Sequence, residues 1–398
     1  MIQSFLVSAN MSDRLAKRTE RISPFYVMEL LRRAKQLETD DRDVIHMEIG
    51  EPDFPTPQLI IDAGIEHIQT GNVKYTAAAG LPELREKIAG FYRQRYGIAV
   101  SAERIFVTPG ASGAFLLALG ISVNPGEQLL LTDPCYPCNS NFIRLFDGEA
   151  GLIPVDAATG YQLTAELIKQ HWTPATKGAV IASPSNPAGT LIDREVLKQT
   201  IAAVNALDGC FYSDEIYHGL VYGGNACSAI EFSDNVFVIN SFSKYFGMTG
   251  WRIGWLIVPD KFVEAAEKLA QNIFIATSTH SQYAALAAFD QRTLAELELR
   301  RAEFEARRNF LYENLLRLGF DIPVKPDGAF YMYANCSGFT DDSYQFAMDF
   351  LETEAVAITP GKDFGVNDAS HYIRFAYTTS IDRIALAMQR LERFINKG

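Results

Sequence analysis

One lysine follows a stretch of sequence that would make its amine reactive. Val236 to Asn240 form a β-branched and aromatic run that predicts a buried strand, and Lys244 comes next in a loop of small residues. A lysine at the mouth of a buried strand is desolvated, which lowers its pKa and frees a neutral amine. Such an amine condenses with an aldehyde to form a Schiff base. Ser241 and Arg252 flank it, a hydroxyl and a forked cation that suit one phosphate group.

An aldehyde and a phosphate occur together in one common cofactor, pyridoxal 5′-phosphate (PLP). The alternative is an ordinary surface lysine in a polar loop, which is the usual place of a lysine. The spacing S-x-x-K over residues 241–244, followed by W-R-I-G over residues 251–254, favours the reactive lysine. It resembles the cofactor-lysine signature of the class I/II aminotransferases of PLP fold type I.

Polar residues that suit the same cofactor follow two other predicted strands. Asp214 ends the run C-F-Y-S-D and could keep a pyridine nitrogen protonated, so that the ring acts as an electron sink. The alternative for Asp214 is capping of a helix. Tyr217 lies three residues later and would face the same way on a helical turn. Its phenol and the amide of Asn186, in S-P-S-N-P-A-G-T, could bond the ring oxygen, although N-P-x-G alone is only a turn.

A small-residue turn is a candidate phosphate site. Gly110 to Ala114 follow a strand and open a helix, so the backbone N–H groups of Ala111 and Ser112 are free to bind an anion. The alternative is tight helix packing of small residues. Tyr136, in D-P-C-Y-P, ends another strand, and its ring could stack on the cofactor or belong to the core.

The resemblance to the class I/II aminotransferases covers nearly the whole chain, from about Ile22 to the C-terminus, and is greatest for the subgroup with an N-terminal G-E-P-D-F. It implies that Lys244 is the Schiff-base lysine and general acid–base, and that Asp214 pairs with the pyridine nitrogen. Tyr217, the third catalytic residue, binds the ring oxygen with Asn186. It also implies that the phosphate is held by four residues, namely Ala111, Ser112, Ser241 and Arg252. The ring of Tyr136 is expected to stack on the pyridine ring.

The resemblance also implies substrate and subunit contacts. Arg374, in Y-I-R-F-A, forks onto the α-carboxylate of the substrate. Gly50 and Asn186 complete the substrate-binding set. Tyr75, in K-Y-T-A-A-A-G-L, reaches the phosphate of a neighbouring subunit, so a homodimer with shared active sites is expected.

Ser112 stands where relatives that use dicarboxylic substrates often have a lysine, which argues against aspartate as the preferred donor. Phe25 and Tyr26, near the start of a predicted helix, could instead line an apolar or aromatic pocket. Glutamate and 2-oxoglutarate are held apart, because arginines from elsewhere or mobile side chains could admit them as the second substrate pair.

Composition narrows the class of protein. The 398 residues are 48% hydrophobic and 21% charged, as in a water-soluble globular protein, and no apolar run is long enough to cross a bilayer. The net charge of −12 disfavours nucleic acid and anionic membranes as partners. The start of the chain does not read as a signal peptide, and five cysteines suit reduced thiols, so a cytoplasmic location is expected. Cys135 and Cys138 form a C-x-x-C whose redox or metal-binding alternative has no supporting second cluster.

The order of predicted elements indicates an α/β protein with two lobes. Strands and helices alternate between residues 104 and 241, which predicts a mainly parallel sheet flanked by helices. The predicted division is an arm and part of the small domain over residues 1–50, a large PLP-binding domain over 51–291, and a small α+β domain over 292–398. Residues 1–13 are predicted to be an arm, and Met11 is an alternative to Met1 as the start of the chain. Strands are also predicted over residues 44–49 and 355–359.

The function predicted from the sequence is transfer of an amino group between an α-amino acid, expected to be neutral, and a 2-oxo acid. Two alternatives on the same fold are an aspartate-type aminotransferase and a β-eliminating C–S lyase. A transcription regulator that uses this fold would need a basic winged helix before Gly50. The residues there already contain a predicted helix of the small lobe.

Overall fold

The computed structural model of the protein describes residues 16–22 and 25–396. The predicted arm at residues 1–13 and the alternative start at Met11 lie outside the described residues. The helices are α1 (Tyr26–Thr39), α2 (Gln58–Gln69), α3 (Pro82–Tyr96), α4 (Gly110–Ser122), α5 (Pro137–Leu145), α6 (Ala165–His171), α7 (Arg194–Ala206), α8 (Val263–Ile273), α9 (Thr279–Leu286), α10 (Gln291–Arg317), α11 (Ser343–Glu354) and α12 (Ile381–Ile395). The strands are β1 (Ile45–His46), β2 (Ile105–Thr108), β3 (Gln128–Asp133), β4 (Glu149–Pro154), β5 (Thr176–Ala182), β6 (Cys210–Asp214), β7 (Val236–Ser241), β8 (Gly254–Ile257), β9 (Tyr331–Asn335), β10 (Val356–Ala357), β11 (Thr359–Pro360) and β12 (Tyr372–Ala376).

The largest sheet in the described part of the chain has seven strands in the order β2-β8-β7-β6-β5-β3-β4. All run parallel except β8, which is antiparallel to both of its neighbours. Every residue of β2 and of β7 is buried, as in sheets covered by helices on both faces. Burial of one large aliphatic or aromatic side chain stabilises a protein by about 1.5–3 kcal/mol. The sheet is therefore a well-packed base for the side chains at its edge.

Local sequence explains where several helices begin and end. Pro82 occupies the first turn of α3, where its missing N–H costs nothing, and Gly97 ends the helix with a φ of 73°. Asp193 caps α7 by accepting hydrogen bonds from the backbone N–H groups of the next turn. Ser380 caps α12 in the same manner.

The described residues also form two smaller sheets outside the central one. Strands β11, β12 and β9 form an antiparallel sheet, and β1 pairs in parallel with β10. Helix α1 packs against β10 and β11. Residues 26–46 therefore join strands that come more than 300 positions later in the chain. The division of the chain at residues 50 and 291 stays a prediction, and α10 begins at Gln291.

Two predicted strands are shorter than expected. Val44 to Ile49 was expected to be extended and paired, but only Ile45 and His46 form a strand. The carbonyl of Met47 still accepts the backbone N–H of Ala376. The next three carbonyls accept side-chain donors instead of a neighbouring strand: Arg374 and Thr359 at Glu48, Thr378 at Ile49, and Lys244 at Gly50. The predicted strand over residues 355–359 divides into β10 and β11, which belong to different sheets.

No helix within residues 16–22 and 25–396 combines the length and the apolar character that crossing a membrane requires.

Candidate active site

The carboxyl ends of β2, β3, β5, β6 and β7 meet at one edge of the central sheet. Strand β8, being antiparallel, begins at that edge. Thr108 and Ser241 both pair with Gly254, and Asp214 pairs with Ala182. In open α/β sheets, ligands bind beyond the carboxyl ends of the strands, so the loops at this edge are expected to form a site.

A cavity of about 450 Å³ lies at this edge. All of the predicted site residues except Tyr75 line it, namely Gly50, Ala111, Ser112, Tyr136, Asn186, Asp214, Tyr217, Ser241, Lys244, Arg252 and Arg374. Tyr75 is 82% exposed and lies away from the cavity. Residues singled out from separate motifs therefore come together, and the one placed elsewhere is the residue expected to serve a second subunit.

Lys244 projects into the cavity from the loop after β7. Its Nζ donates a hydrogen bond to the backbone oxygen of Gly50 at 2.6 Å. Desolvation lowers the pKa of Lys244 to about 8. The nearby Glu51 opposes this shift, whereas the positive charges of Arg374 and Arg252 add to it. A larger share of this amine is therefore neutral near physiological pH than is usual for lysine.

Asp214 is the last residue of β6, and Tyr217 lies in the turn that follows the strand. Asp214 is buried and accepts a hydrogen bond from the N–H of Ile216 at 3.3 Å. Burial raises the pKa of Asp214 to about 7. A cation placed against this carboxylate would favour its charged form, as a protonated pyridine nitrogen would. Burial also raises the pKa of Tyr217, whose hydroxyl lies 2.9 Å from that of Tyr331.

The first turn of α4 and the loop before β8 form an anion cradle. The unpaired N–H groups and the dipole of a helix N-terminus attract a phosphate. Arg252 lies there with a φ of 52°, and its guanidinium donates to the backbone oxygen of Thr249 at 3.1 Å. A Cβ on Gly110 would lie 2.7 Å from that guanidinium, and the φ of Gly110 is 71°, a left-handed conformation that favours glycine. Arg252 has no carboxylate partner among the described residues, which leaves its charge available to a ligand.

Arg374 lies in β12 with its guanidinium buried in the cavity wall. It donates to the side-chain oxygen of Asn186 at 2.9 Å and to the backbone oxygen of Glu48 at 2.6 Å. The rings of Tyr331 and Phe364 lie 4.2 Å and 4.7 Å from its central carbon. Its Nε is buried and without a hydrogen-bond partner in the described structure. An anion in the cavity would satisfy this donor and the charge together.

Tyr331 is a site residue that the sequence did not reveal. Its hydroxyl contacts Tyr217, its ring lies against Arg374, and a Cβ on Gly50 would come within 1.8 Å of its hydroxyl oxygen. Both faces of β9 are buried, so alternation of polar and apolar residues gives no sign of which side chains face a ligand. The pairing of β9 with β12 would have placed it near Arg374, but that pairing is a long-range feature.

One end of the cavity has an apolar wall. Phe25 was expected to contribute to it and does, together with other residues of the start of α1 and nearby loops, namely Val27, Met28, Leu31, Ile49 and Phe364. Tyr26, which was expected to line the pocket as well, instead points away and packs against Tyr344 at a centroid distance of 5.4 Å. Phe25 is still extended and α1 begins at Tyr26, so the two neighbouring side chains face different directions.

Cys135 and Cys138 are free thiols. Burial raises the pKa of Cys135 to about 12, which makes its thiolate, the reactive form, scarce. Across residues 16–22 and 25–396 no cluster of three or more histidine, cysteine or acidic side chains could hold a metal ion.

The fold and the cavity define an enzyme of PLP fold type I, with a mainly parallel sheet and a lysine at its carboxyl edge. Residues 42–391 match the model of the family "Aminotransferase class I and II". The chain belongs to this family, whose members depend on PLP, and it is an aminotransferase. The predicted fold class and cofactor are thereby confirmed.

Related proteins of known name support the same family. A (5-formylfuran-3-yl)methyl phosphate transaminase of Methanocaldococcus jannaschii is 40% identical over 386 residues, which cover 96% of this chain and 100% of the relative. A valine–pyruvate aminotransferase of Mycobacterium tuberculosis is 37% identical over 96% of this chain and 98% of its own. The crystal structure of an aminotransferase from Mycobacterium tuberculosis matches with a TM-score of 0.94 and 36% identity, covering 97% of this chain and 100% of that one.

The described residues fit PLP. The α4 cradle with Ser241 and Arg252 suits the phosphate, Asp214 suits the ring nitrogen, and Lys244 suits the aldehyde. PLP, when bound, supplies a carbonyl carbon that takes up amino groups and a protonated ring that withdraws electrons. Asp214 would hold the proton on the ring nitrogen.

The remaining residues place the substrate and move its proton. Arg374, with Asn186 beside it, would fix the α-carboxylate of the amino acid. Lys244, released from the cofactor, would take the proton from the substrate Cα as general base and return it as general acid. Its bond to the oxygen of Gly50 keeps Nζ inside the cavity.

The pKa of Lys244 predicts how cofactor capture depends on pH. The protonated amine is not a nucleophile, so covalent capture of PLP by the apoenzyme should slow about tenfold for each pH unit below 8. The rate of capture should become independent of pH above pH 8. Stopped-flow absorbance from pH 6 to 9.5 measures this rate. The control is a PLP analogue that lacks the aldehyde, because its ring and phosphate ionise as those of PLP do. The rate at which this analogue binds should not fall in the same way below pH 8. Equal pH profiles for PLP and the analogue would contradict the assignment.

Proposed function

We propose that this aminotransferase takes its amino group from an α-amino acid with a neutral, apolar side chain and transfers it to a 2-oxo acid. The apolar wall formed by the start of α1 carries this proposal. A substrate whose α-carboxylate rests on Arg374 and whose Cα faces Lys244 would direct its side chain toward this wall. Apolar side chains gain about 25 cal/mol per Å² when they leave water for such a surface.

The cations of the cavity support the same substrate class. Within the described lining they are Lys244, Arg252 and Arg374, and each has a task toward the cofactor or the α-carboxylate. Ser112 supplies no charge. A second carboxylate would leave water without gaining a partner, which is costly.

The relatives favour transamination over the β-eliminating alternative, since those named above are transaminases. Their names differ in substrate. Aspartate aminotransferases, such as that of Thermotoga maritima at 33% identity, match this chain as well. The aspartate-type alternative must therefore be tested directly.

The donor is best identified in the first half-reaction, where no acceptor is needed. Holoenzyme mixed with a single amino acid changes colour as the cofactor takes up the amino group. We expect the second-order rate constant to be higher for valine, leucine, alanine or phenylalanine than for aspartate. The enzyme without added amino acid and the D-enantiomer of the best donor are the controls. If aspartate leads by tenfold, about 1.4 kcal/mol of transition-state binding, the proposed donor class is wrong.

We also propose that the protein is a homodimer with shared active sites and that it is located in the cytoplasm. Each subunit is proposed to consist of a large domain over residues 51–291 and a small domain formed by residues 1–50 and 292–398. The exposed Tyr75 supports the dimer, and Val73, two positions earlier in the chain, is 48% exposed. Apolar patches of this kind are typical of protein interfaces. The pairing of β1 with β10 supports the domain division, and five free thiols support a reducing compartment.

A further inference from the structure

Asp363 places a carboxylate at the substrate end of the cavity, beside the apolar wall. It lies in the turn after β11 and is 7% exposed. One oxygen accepts the backbone N–H of Tyr26 at 2.8 Å, and the other that of Val27 at 3.4 Å. Asp363 thus caps the N-terminus of α1 and holds the helix residues that line the cavity, as side chains at N-cap positions do.

Asp363 is also close to the group that would bind the α-carboxylate. Thr359, four residues earlier, pairs across the sheet with Arg374, and the ring of the adjacent Phe364 packs on its guanidinium. Burial raises the pKa of Asp363, while the N–H bonds and the charge of Arg374 favour its ionised form. A substrate that spans from Arg374 to α1 would bring the end of its side chain toward this carboxylate.

Apart from Lys244, Arg252 and Arg374, whose tasks are given above, the described lining adds no cation, and it adds further acidic side chains. Glu51 lines the cavity with no cation bonded to it, and Glu48 is paired with His46 at 2.7 Å. A like charge close to the end of a ligand's side chain disfavours an anionic ligand, and binding sites use such repulsion to reject the wrong ligand. The same exclusion applies to the donor and to the acceptor, because both bind in one site.

We propose that Asp363 is a specificity-determining residue that excludes dicarboxylic 2-oxo acids, so that the acceptor as well as the donor is monocarboxylic. This inference rests on the proposed function and extends it to the second substrate, for which 2-oxoglutarate would be the common alternative.

The test compares two acceptors that have the same chain and differ in the charge at its end. These are 2-oxoglutarate and 5-methyl-2-oxohexanoate, in which an isopropyl group replaces the distal carboxylate. With one fixed donor, kcat/KM for each acceptor reports the second half-reaction. We expect the wild-type enzyme to favour the monocarboxylic acid at least tenfold. Asp363→Asn keeps the size and a capping oxygen but removes the charge, and should reduce that preference at least tenfold.

Asp193→Asn is the matched control. Asp193 caps α7 through the N–H groups of Glu195 and Val196, outside the cavity, so the same change should leave the acceptor preference unchanged. Asp363→Ser serves as a second variant if Asp363→Asn folds poorly. Its hydroxyl oxygen can still accept a backbone N–H at the start of α1, and removal of the charge should again reduce the preference at least tenfold.

Each outcome decides the inference. A wild-type preference for 2-oxoglutarate, or an Asp363→Asn enzyme with an unchanged ratio, would overturn it while leaving the aminotransferase function intact. An enzyme that converts a donor but prefers aspartate would contradict the proposed donor class separately. Failure with every donor and acceptor would contradict the proposed function and this inference together.

Discussion

Lys244→Ala should lower the rate of transamination at least about a thousandfold, because the nucleophile and the proton carrier are lost together. The variant should still bind PLP without a covalent link, since the phosphate cradle and Asp214 are unchanged. Steady-state assays with the best donor measure the loss of activity. Equilibrium dialysis and the absorbance of the bound cofactor measure the retained binding.

The covalent link itself identifies the lysine. Borohydride reduction of the wild-type holoenzyme, followed by peptide mapping, should place the cofactor on Lys244. Lys177→Ala is the matched control, since its Nζ is exposed and bonds only the backbone of Pro174 within the described structure, and this variant should keep full activity. A label on another lysine, or an active Lys244→Ala enzyme, would show that the assignment is wrong.

The sequence was sufficient for the parts of the site that follow strand ends. The strands ending near Thr108, Asp214 and Ser241 are continuous apolar runs followed by polar or small residues. Parallel strands bring their carboxyl ends to one edge, so the position of each residue relative to the others follows from the topology. The structure places Asp214, Tyr217 and Lys244 in one cavity, as that argument predicts.

The substrate end of the cavity could not be predicted in this way. Asp363 meets the N–H of Tyr26, a contact between residues that are 337 positions apart. Neither residue stands in a pattern that would show the contact, because a capping aspartate in a turn resembles any surface aspartate.

The chain from Glu48 to Gly50 was predicted to include the end of a strand, and the structure shows that it does not. Its β-branched neighbours suggested a longer strand, but its carbonyls bond the side chains of the site instead of a second strand.

This contrast has a physical origin. The residues proposed to bind the cofactor belong mostly to short loops anchored on strands of the same sheet, so that local sequence fixes much of their position. The residues proposed to face the substrate side chain come from α1, from the turn after β11 and from β12, and their arrangement depends on packing between distant parts of the chain. Variation in those segments can change the substrate without disturbing the cofactor site.

The proposed sharing of sites between subunits leads to the second large effect. Tyr75 is 82% exposed and lies outside the cavity, yet Tyr75→Ala should strongly reduce activity if its phenol reaches the phosphate of the other subunit. Lys244→Ala should be inactive for the reasons given above. Mixing the two variants should then restore activity far above that of either homodimer, because chain exchange creates one site with both residues intact.

The arrangement of the hybrid makes this result diagnostic. In a dimer of Tyr75→Ala with Lys244→Ala, one site combines the intact Lys244 of the first chain with the intact Tyr75 of the second, and the other site lacks both. Hybrids isolated through two different affinity tags should therefore have about half of the wild-type activity per dimer. A hybrid of Lys244→Ala with Asp214→Asn is the control. Both residues belong to the same cavity of one chain, so neither of its sites is complete and no activity should return. Verified Tyr75–Lys244 hybrids that stay as inactive as this control would mean that Tyr75 does not act across the subunit interface.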